Sequence, residues 1–316
     1  MNSNQHTELT RRGFLGRTLV SAAGTAMGTA MLGVAIPQAA TAAASERPTS
    51  GWQVGCWTRP WAKYDYRVAM DAVAEAGFKY ISFTGAKTKT GRVIAPDTPI
   101  EEAAQAGEEA KIRGLKISYV YGGRPLLHEG SGSLRKMIDN CAAALGRYVV
   151  ISRIGTAKQV DHNCKVIAGC CDYAAEKNVG LVIKPHGGLN ATGELCRRAI
   201  EKVGHQNFTM LYDPGNICYY SNGKIDPVKN AATVCGLVTG MSIKDYKHPK
   251  QVGLTPGTGQ IDFAALMKQL IKGGFTHGPL AIECLAPGSL QKTLKEAKKA
   301  RNFVGRMINL DVLKAV

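Results

Sequence analysis

Eight short runs of β-forming residues, at 52–56, 80–83, 116–121, 148–151, 181–184, 208–212, 237–243 and 280–284, punctuate this chain. Between them apolar residues recur every three to four positions, over 68–76, 99–111, 134–145, 166–177, 193–203, 226–232 and 263–272, and a last such stretch runs over 290–307. The first pattern builds strands and the second amphipathic helices. Strand and helix alternating along a whole chain call for a parallel sheet, and eight such units predict an α/β fold, a (β/α)8 TIM barrel in a single domain over 46–316. Gly77, Gly114, Gly180 and Gly274 stand just before strands, where a left-handed residue closes the preceding helix.

Where the apolar runs end, charge begins. Ile183-Lys184-Pro185-His186-Gly187-Gly188, Tyr212-Asp213-Pro214-Gly215-Asn216, Ser242-Ile243-Lys244-Asp245-Tyr246 and Ile282-Glu283-Cys284 each place polar groups at the C-terminal end of a strand. A barrel points all those ends at one face, so groups far apart in sequence meet over one substrate. Four clusters at four ends therefore predict one shared site.

The first 45 residues read as an address rather than as part of the barrel. Thr10-Arg11-Arg12-Gly13-Phe14-Leu15 is a twin-arginine motif, a weakly apolar stretch follows over 19–36, and small residues at Ala40-Thr41-Ala42 offer a cleavage site between Ala42 and Ser45. Gly24, Gly28 and Gly33 interrupt the apolar stretch, which is too short and too polar for a spanning helix. The expectation is export by the twin-arginine machinery to the periplasm or beyond, without stable membrane anchoring.

Nine cysteines, an odd number without repeated short spacing, argue against a disulfide framework and against a zinc cluster. Most of them read as small buried hydrophobes, the Cys170-Cys171 pair included. The full chain carries a formal charge of +16, and the part after residue 45 keeps +14. Its basic residues are scattered along helices, as at Lys292, Lys295, Lys298, Lys299 and Arg301, with few aromatics among them. That describes a solvated face rather than a nucleic-acid surface.

Nearly the whole of 46–316 resembles the xylose isomerase-like TIM-barrel proteins, also called the sugar phosphate isomerase/epimerase family. The resemblance is carried by Ala74-Glu75-Ala76-Gly77-Phe78, by the Pro-His-Gly-Gly end of the fifth strand, by Tyr212-Asp213-Pro214-Gly215-Asn216 and Ile243-Lys244-Asp245, by Gly257-Thr258-Gly259-Gln260-Ile261-Asp262-Phe263 and by Ile282-Glu283. It implies a divalent metal (manganese, zinc or magnesium) held by Glu, Asp, His and Glu from strands five to eight. Asp213 and Glu283 match that set, while Lys184 stands at the Glu position and Ser242 at the His position. Two readings stay open. A metal on Asp213 and Glu283 can be completed by His186 turning inward, or by His248 or Asp245 from the following loop. Alternatively the Lys184 ammonium stands where the metal would be, relieving the repulsion of two converging carboxylates as a charged group rather than a nucleophile.

Chemistry beside a sugar carbonyl needs a base for the neighbouring proton and an electrophile for the enediolate that forms. Glu283 and Asp213 are the candidate bases, Glu283 the better by family analogy; Lys184, His186 and Lys244 can donate positive charge or hydrogen bonds. Asn216 can orient Asp213 or bind a hydroxyl, or Pro214-Gly215-Asn216 can be turn chemistry alone. Trp57, Arg59 and Trp61 after strand one, Tyr119, Tyr121 and Arg124 around strand three, and Asp245 and His248 beyond strand seven are the candidate pocket walls. The function so predicted is a sugar isomerase or epimerase acting on an unphosphorylated sugar or derivative. Alternatives are a lyase or dehydratase on a keto-sugar or 3-keto-glycoside, and a non-catalytic carbohydrate-binding barrel.

Overall fold

A computed structural model describes residues 51–123, 127 and 130–309. The twin-arginine segment and Arg124 lie outside the described residues. Eight parallel strands, β1 (Trp52–Trp57), β2 (Tyr80–Phe83), β3 (Lys116–Val120), β4 (Tyr148–Ile151), β5 (Gly180–Ile183), β6 (Phe208–Tyr212), β7 (Val238–Ile243) and β8 (Gly278–Ile282), pair in sequence order, and β8 closes the ring on β1. Closure leaves no sheet edge unpaired. Around them run α1 (Tyr66–Glu75), α2 (Ile100–Ile112), α3 (Ser131–Ala143), α4 (Val160–Glu176), α5 (Gly193–Val203), α6 (Pro214–Ser221), α7 (Pro227–Ala231), α8 (Phe263–Lys272) and α9 (Leu290–Asn309).

Side-chain chemistry at the helix ends agrees with the bounds. Asp65, Thr192, Asp213, Asp226 and Asp262 each accept a backbone N–H of the helix that follows, replacing a partner the first turn lacks. Helix α6 was not expected. Pro214 needs no N–H at its first position and Asp213 caps it, so what reads as a turn is the start of a helix. Gly180 does not close a helix either: Asn178 takes the left-handed conformation at φ 57°, and Gly180 begins β5.

Two apolar cores share the strands. The larger lies between sheet and helices, and the smaller, of Trp57, Tyr119, Val150, Val182, Leu211 and Ala281, fills the barrel. Tyr119 stacks on Trp57 at 5.7 Å and lies 5.4 Å from Tyr148, ring centre to ring centre. Glycine makes the room for these rings. A methyl at Gly240 would stand 1.7 Å from the Tyr119 hydroxyl, and one at Gly180 would stand 2.5 Å from the Tyr148 ring. Two expected pocket walls are thereby corrected. Tyr119 pairs in register with the first residue of β4, which puts it deep in the barrel and fully buried; Tyr121, one inward position further along, reaches the mouth. Trp61 sits in the outer core. Eight of the nine cysteines are buried, Cys235 is exposed, and all are free.

Candidate active site

Inward-facing positions at the ends of β5 to β8 deliver Lys184, Asp213, Ser242, Lys244 and Glu283 to one place. Lys184 Nζ lies 2.9 Å from Asp213 Oδ2 and bonds Glu283 Oε2. Lys244 Nζ lies 2.5 Å from Glu283 Oε1 and 3.4 Å from Asp213 Oδ2. Arg59, from the turn after β1, donates Nη1 to Glu283 Oε1 at 2.6 Å, and Ser242 donates its hydroxyl to Oε2 at 2.7 Å. Glu283 thus accepts three hydrogen bonds and a further ion pair from Lys244, two partners on each oxygen. Three cations face two carboxylates.

Neighbouring residues hold this cluster in place. Asn190 donates through Nδ2 to the carbonyls of Ser152 and Lys184, tying the ends of β4 and β5 together. Asn216 donates to the Pro185 carbonyl at 2.7 Å and accepts from Lys244 Nζ at 3.0 Å. Asp213 Oδ1 accepts the Asn216 N–H, while Oδ2, turned to the ammoniums, has no well-directed hydrogen bond among the described residues. The first turn of α6 is therefore part of the site. Asn190 and the Ser242 hydroxyl were not legible as site residues, although Ser242 stands where the family pattern carries a metal ligand.

Electrostatics follow from this geometry. Burial alone would raise the Glu283 carboxyl, but Lys184, Lys244 and Arg59 outweigh it and hold the group well below the carboxylate range. Burial would also lower Lys244, and the charges of Asp213 and Glu283 more than reverse that, so its ammonium holds its proton more tightly than usual. His186 goes the other way. Burial and the two nearby ammoniums push it down to about 4, so its ring is neutral at neutral pH. Three hydrogen bonds and the Lys244 ion pair hold the Glu283 carboxylate in its ionised form.

Charges and aromatic rings line a cavity of about 300 Å³ at this end of the barrel: Trp57, Arg59, Thr84, Arg92, Tyr121, Ser152, Lys184, His186 and Glu283 take part. A cavity of about 900 Å³ opens at the opposite end, around Gln53, Tyr80, Lys116 and Tyr148. Among the described residues no carboxylate lines it, and barrel chemistry belongs to the C-terminal end of the strands, so the smaller cavity is the candidate.

Several expected groups do not reach the cavity. Asp245 is buried but faces the 255–261 loop, where its oxygens accept the N–H groups of Gly257, Gly259 and Ile261 as well as that of Tyr246. His248 is exposed, held by Gln260 and Tyr246. His186 lines the cavity with its Nδ1 against the Tyr220 hydroxyl at 3.2 Å. Asp245 and His248 are thus engaged away from Asp213 and Glu283.

These residues do not fit a divalent cation at the family's usual place. The Lys184 ammonium fills the point between the two carboxylates, and a metal there would meet Lys244 and Arg59 as well. Among the described residues no cluster of three His, Cys, Asp or Glu groups is placed to hold one.

Comparison with known proteins agrees with this architecture. The family described as xylose isomerase-like TIM barrel matches residues 70–305. No curated protein matches the chain. Among solved structures, one of L-ribulose 3-epimerase is 19% identical with a TM-score of 0.65, over 83% of this chain and 96% of its own. D-allulose 3-epimerase from Methylomonas sp. is 18% identical with a TM-score of 0.63, over 81% and 98%. A xylose isomerase domain protein from Planctomyces limnophilus is 14% identical with a TM-score of 0.62, over 75% and 91%.

Proposed function

The chain belongs to the xylose isomerase-like TIM-barrel family, and from that premise we propose that its barrel mouth is the active site of a sugar isomerase or epimerase-like enzyme that moves a proton next to the carbonyl of an unphosphorylated sugar or derivative. One observation carries the reading: two ammoniums and a guanidinium converge with Asp213 and Glu283 at the end of a cavity sized for a small ligand. The family likeness and the epimerase identity of two structural neighbours support the substrate class.

In this scheme positive charge comes from side chains. The substrate carbonyl oxygen lies against the Lys184 ammonium, which polarises it and holds the oxyanion of the enediolate. Glu283 keeps the three cations together and fixes their positions. His186 is the lining group that is neutral and not bound to a cation, so we assign it the proton acceptor. The C–H electron pair moves into the new carbon–carbon double bond, the carbonyl pair moves onto oxygen, and the proton goes to imidazole. Negative charge on the substrate then stabilises the imidazolium, offsetting its weak resting basicity. Return of the proton to the former carbonyl carbon, with the hydroxyl proton passing from one enediolate oxygen to the other, isomerises the sugar; delivery of a solvent proton to the opposite face of the original carbon, with His186 keeping the one it took, epimerises it.

The twin-arginine motif supports a place of work outside the cytoplasm, where phosphorylated sugars are scarce, and so supports an unphosphorylated substrate. The test is incubation with aldoses, ketoses and 3-keto-glycosides in deuterated water, followed by NMR. Deuterium beside the carbonyl with an intact skeleton is expected. Release of an aglycone would make the protein a lyase, and binding without exchange would make it a carbohydrate-binding barrel.

A further inference from the structure

The cavity carries more positive charge than its own carboxylates balance. Arg59, Lys184 and Lys244 already exceed Asp213 and Glu283 by one, and Arg92 adds a fourth cation to the cavity lining. The neutral His186 adds nothing. Arg92 is a built feature rather than a loose surface group. Residues 84–92 fold back after β2 as a small antiparallel turn bridged at Gly85 and Arg92, the Thr88 and Thr90 hydroxyls bind its main chain, and its guanidinium lies over the Tyr121 ring at 4.9 Å. Among the described residues it has no carboxylate partner. Arg59 spends only Nη1 on Glu283, and its side chain is 48% exposed. Two guanidiniums with free N–H groups therefore border one cavity. Trp57, 2% exposed, lines the same space with an indole N–H that has no acceptor among the described residues.

We propose that the substrate is a sugar carrying a carboxylate, a uronate or an aldonate, whose acid group is held by Arg59 and Arg92 while its hydroxyls meet Trp57 and Tyr121. This rests on the active-site reading given above and narrows its substrate class. A planar guanidinium matches a carboxylate with two parallel hydrogen bonds, which a neutral hydroxymethyl group cannot return. A carboxylate held there also offsets one of the two excess positive charges without disturbing the pinned Glu283.

Calorimetric titration with matched pairs tests this: glucuronate against glucose, galacturonate against galactose, gluconate against sorbitol, and glucose 6-phosphate as the phosphate arm, at low and at 0.3 M salt. The acids are expected to bind on the order of tenfold tighter than their neutral partners, with the advantage shrinking in salt. In Arg92→Gln, checked for folding by circular dichroism, that ratio should fall to about twofold or less, and Arg92→Lys should restore only part of it. Equal binding of acid and neutral sugar, or a preference that survives Arg92→Gln, overturns the proposal, as does tighter binding of the 6-phosphate. Absence of binding by any of them overturns it as well. Neutral sugars that bind and exchange deuterium sink this inference alone, whereas acids that bind without exchange sink the proton-transfer reading and leave the recognition standing.

Discussion

The mouth of the barrel and its interior are built on the same eight strands, yet they solve opposite problems. Glu283 at the mouth has two hydrogen-bond or ion-pair partners on each oxygen, while the Tyr119 hydroxyl in the interior, also buried, has no partner among the described residues. Position in the mouth is fixed by charge, and position in the interior by volume, with Gly240 opposite Tyr119 and Gly180 opposite Tyr148. The contrast teaches that charged groups here cannot be removed one at a time, whereas interior polar atoms can.

Removing Glu283 is the sharpest way to break that contrast. Glu283→Ala leaves three cations facing Asp213 alone, and urea unfolding is expected to show a loss of about 3–5 kcal/mol along with all proton-exchange activity. Next in size, Lys184→Met should lower kcat by about 10²–10³ with a smaller change in KM, the loss expected when a transition-state donor goes; steady-state kinetics on an exchanged sugar reads it. A Lys184→Met variant of full activity would take the electrophile's role away from that residue.

The third prediction concerns pH. His186 has a folded-state pKa lowered to about 4, against an ordinary 6.5. Between these values the unfolded chain binds a proton the folded chain refuses, so stability is full above about pH 6.5 and falls as pH drops toward 4. The shift is worth at most about 3 kcal/mol, less for the water that reaches the partly exposed ring. Unfolding at pH 7 and pH 4.5 should show a smaller difference in His186→Asn than in wild type. In the interior, Gly240→Ala should cost about 1–3 kcal/mol through overpacking, and Tyr119→Phe should give back part of it in the double variant. Smallest of all, Tyr119→Phe alone should lie within about 1 kcal/mol of wild type, because it deletes a hydroxyl with no partner among the described residues.

Much of the fold was legible because local pattern and global fold agree. Strand starts and ends at Tyr80, Phe83, Tyr148, Ile151, Phe208 and Tyr212 follow directly from where apolar runs meet polar ends. The meeting of Lys184 with Asp213 and Glu283 follows from strand-end position plus the barrel's geometry. What stayed hidden depends on depth and on loops. Nothing local separates Tyr119 from Tyr121, two inward tyrosines on one strand, until the register with β4 sets their height. Asp245 next to Lys244 looks like a pocket residue until the returning loop claims it, and the Arg59 contact with Glu283 spans 224 positions that no short motif encodes. Helix α6 was missed because Pro214 and Gly215 are turn formers in isolation, and only the Asp213 cap makes them a first turn.

Lys244 and Asp245 are neighbours in sequence that serve different masters, one gripping the carboxylates of the cavity, the other stapling the backbone of residues 257–261. Anyone retuning this barrel by grafting a foreign segment over that stretch would loosen the staple and slacken the neighbouring lysine with it. The graftable ground for new specificity therefore lies on the other rim, in the turn that carries Arg92.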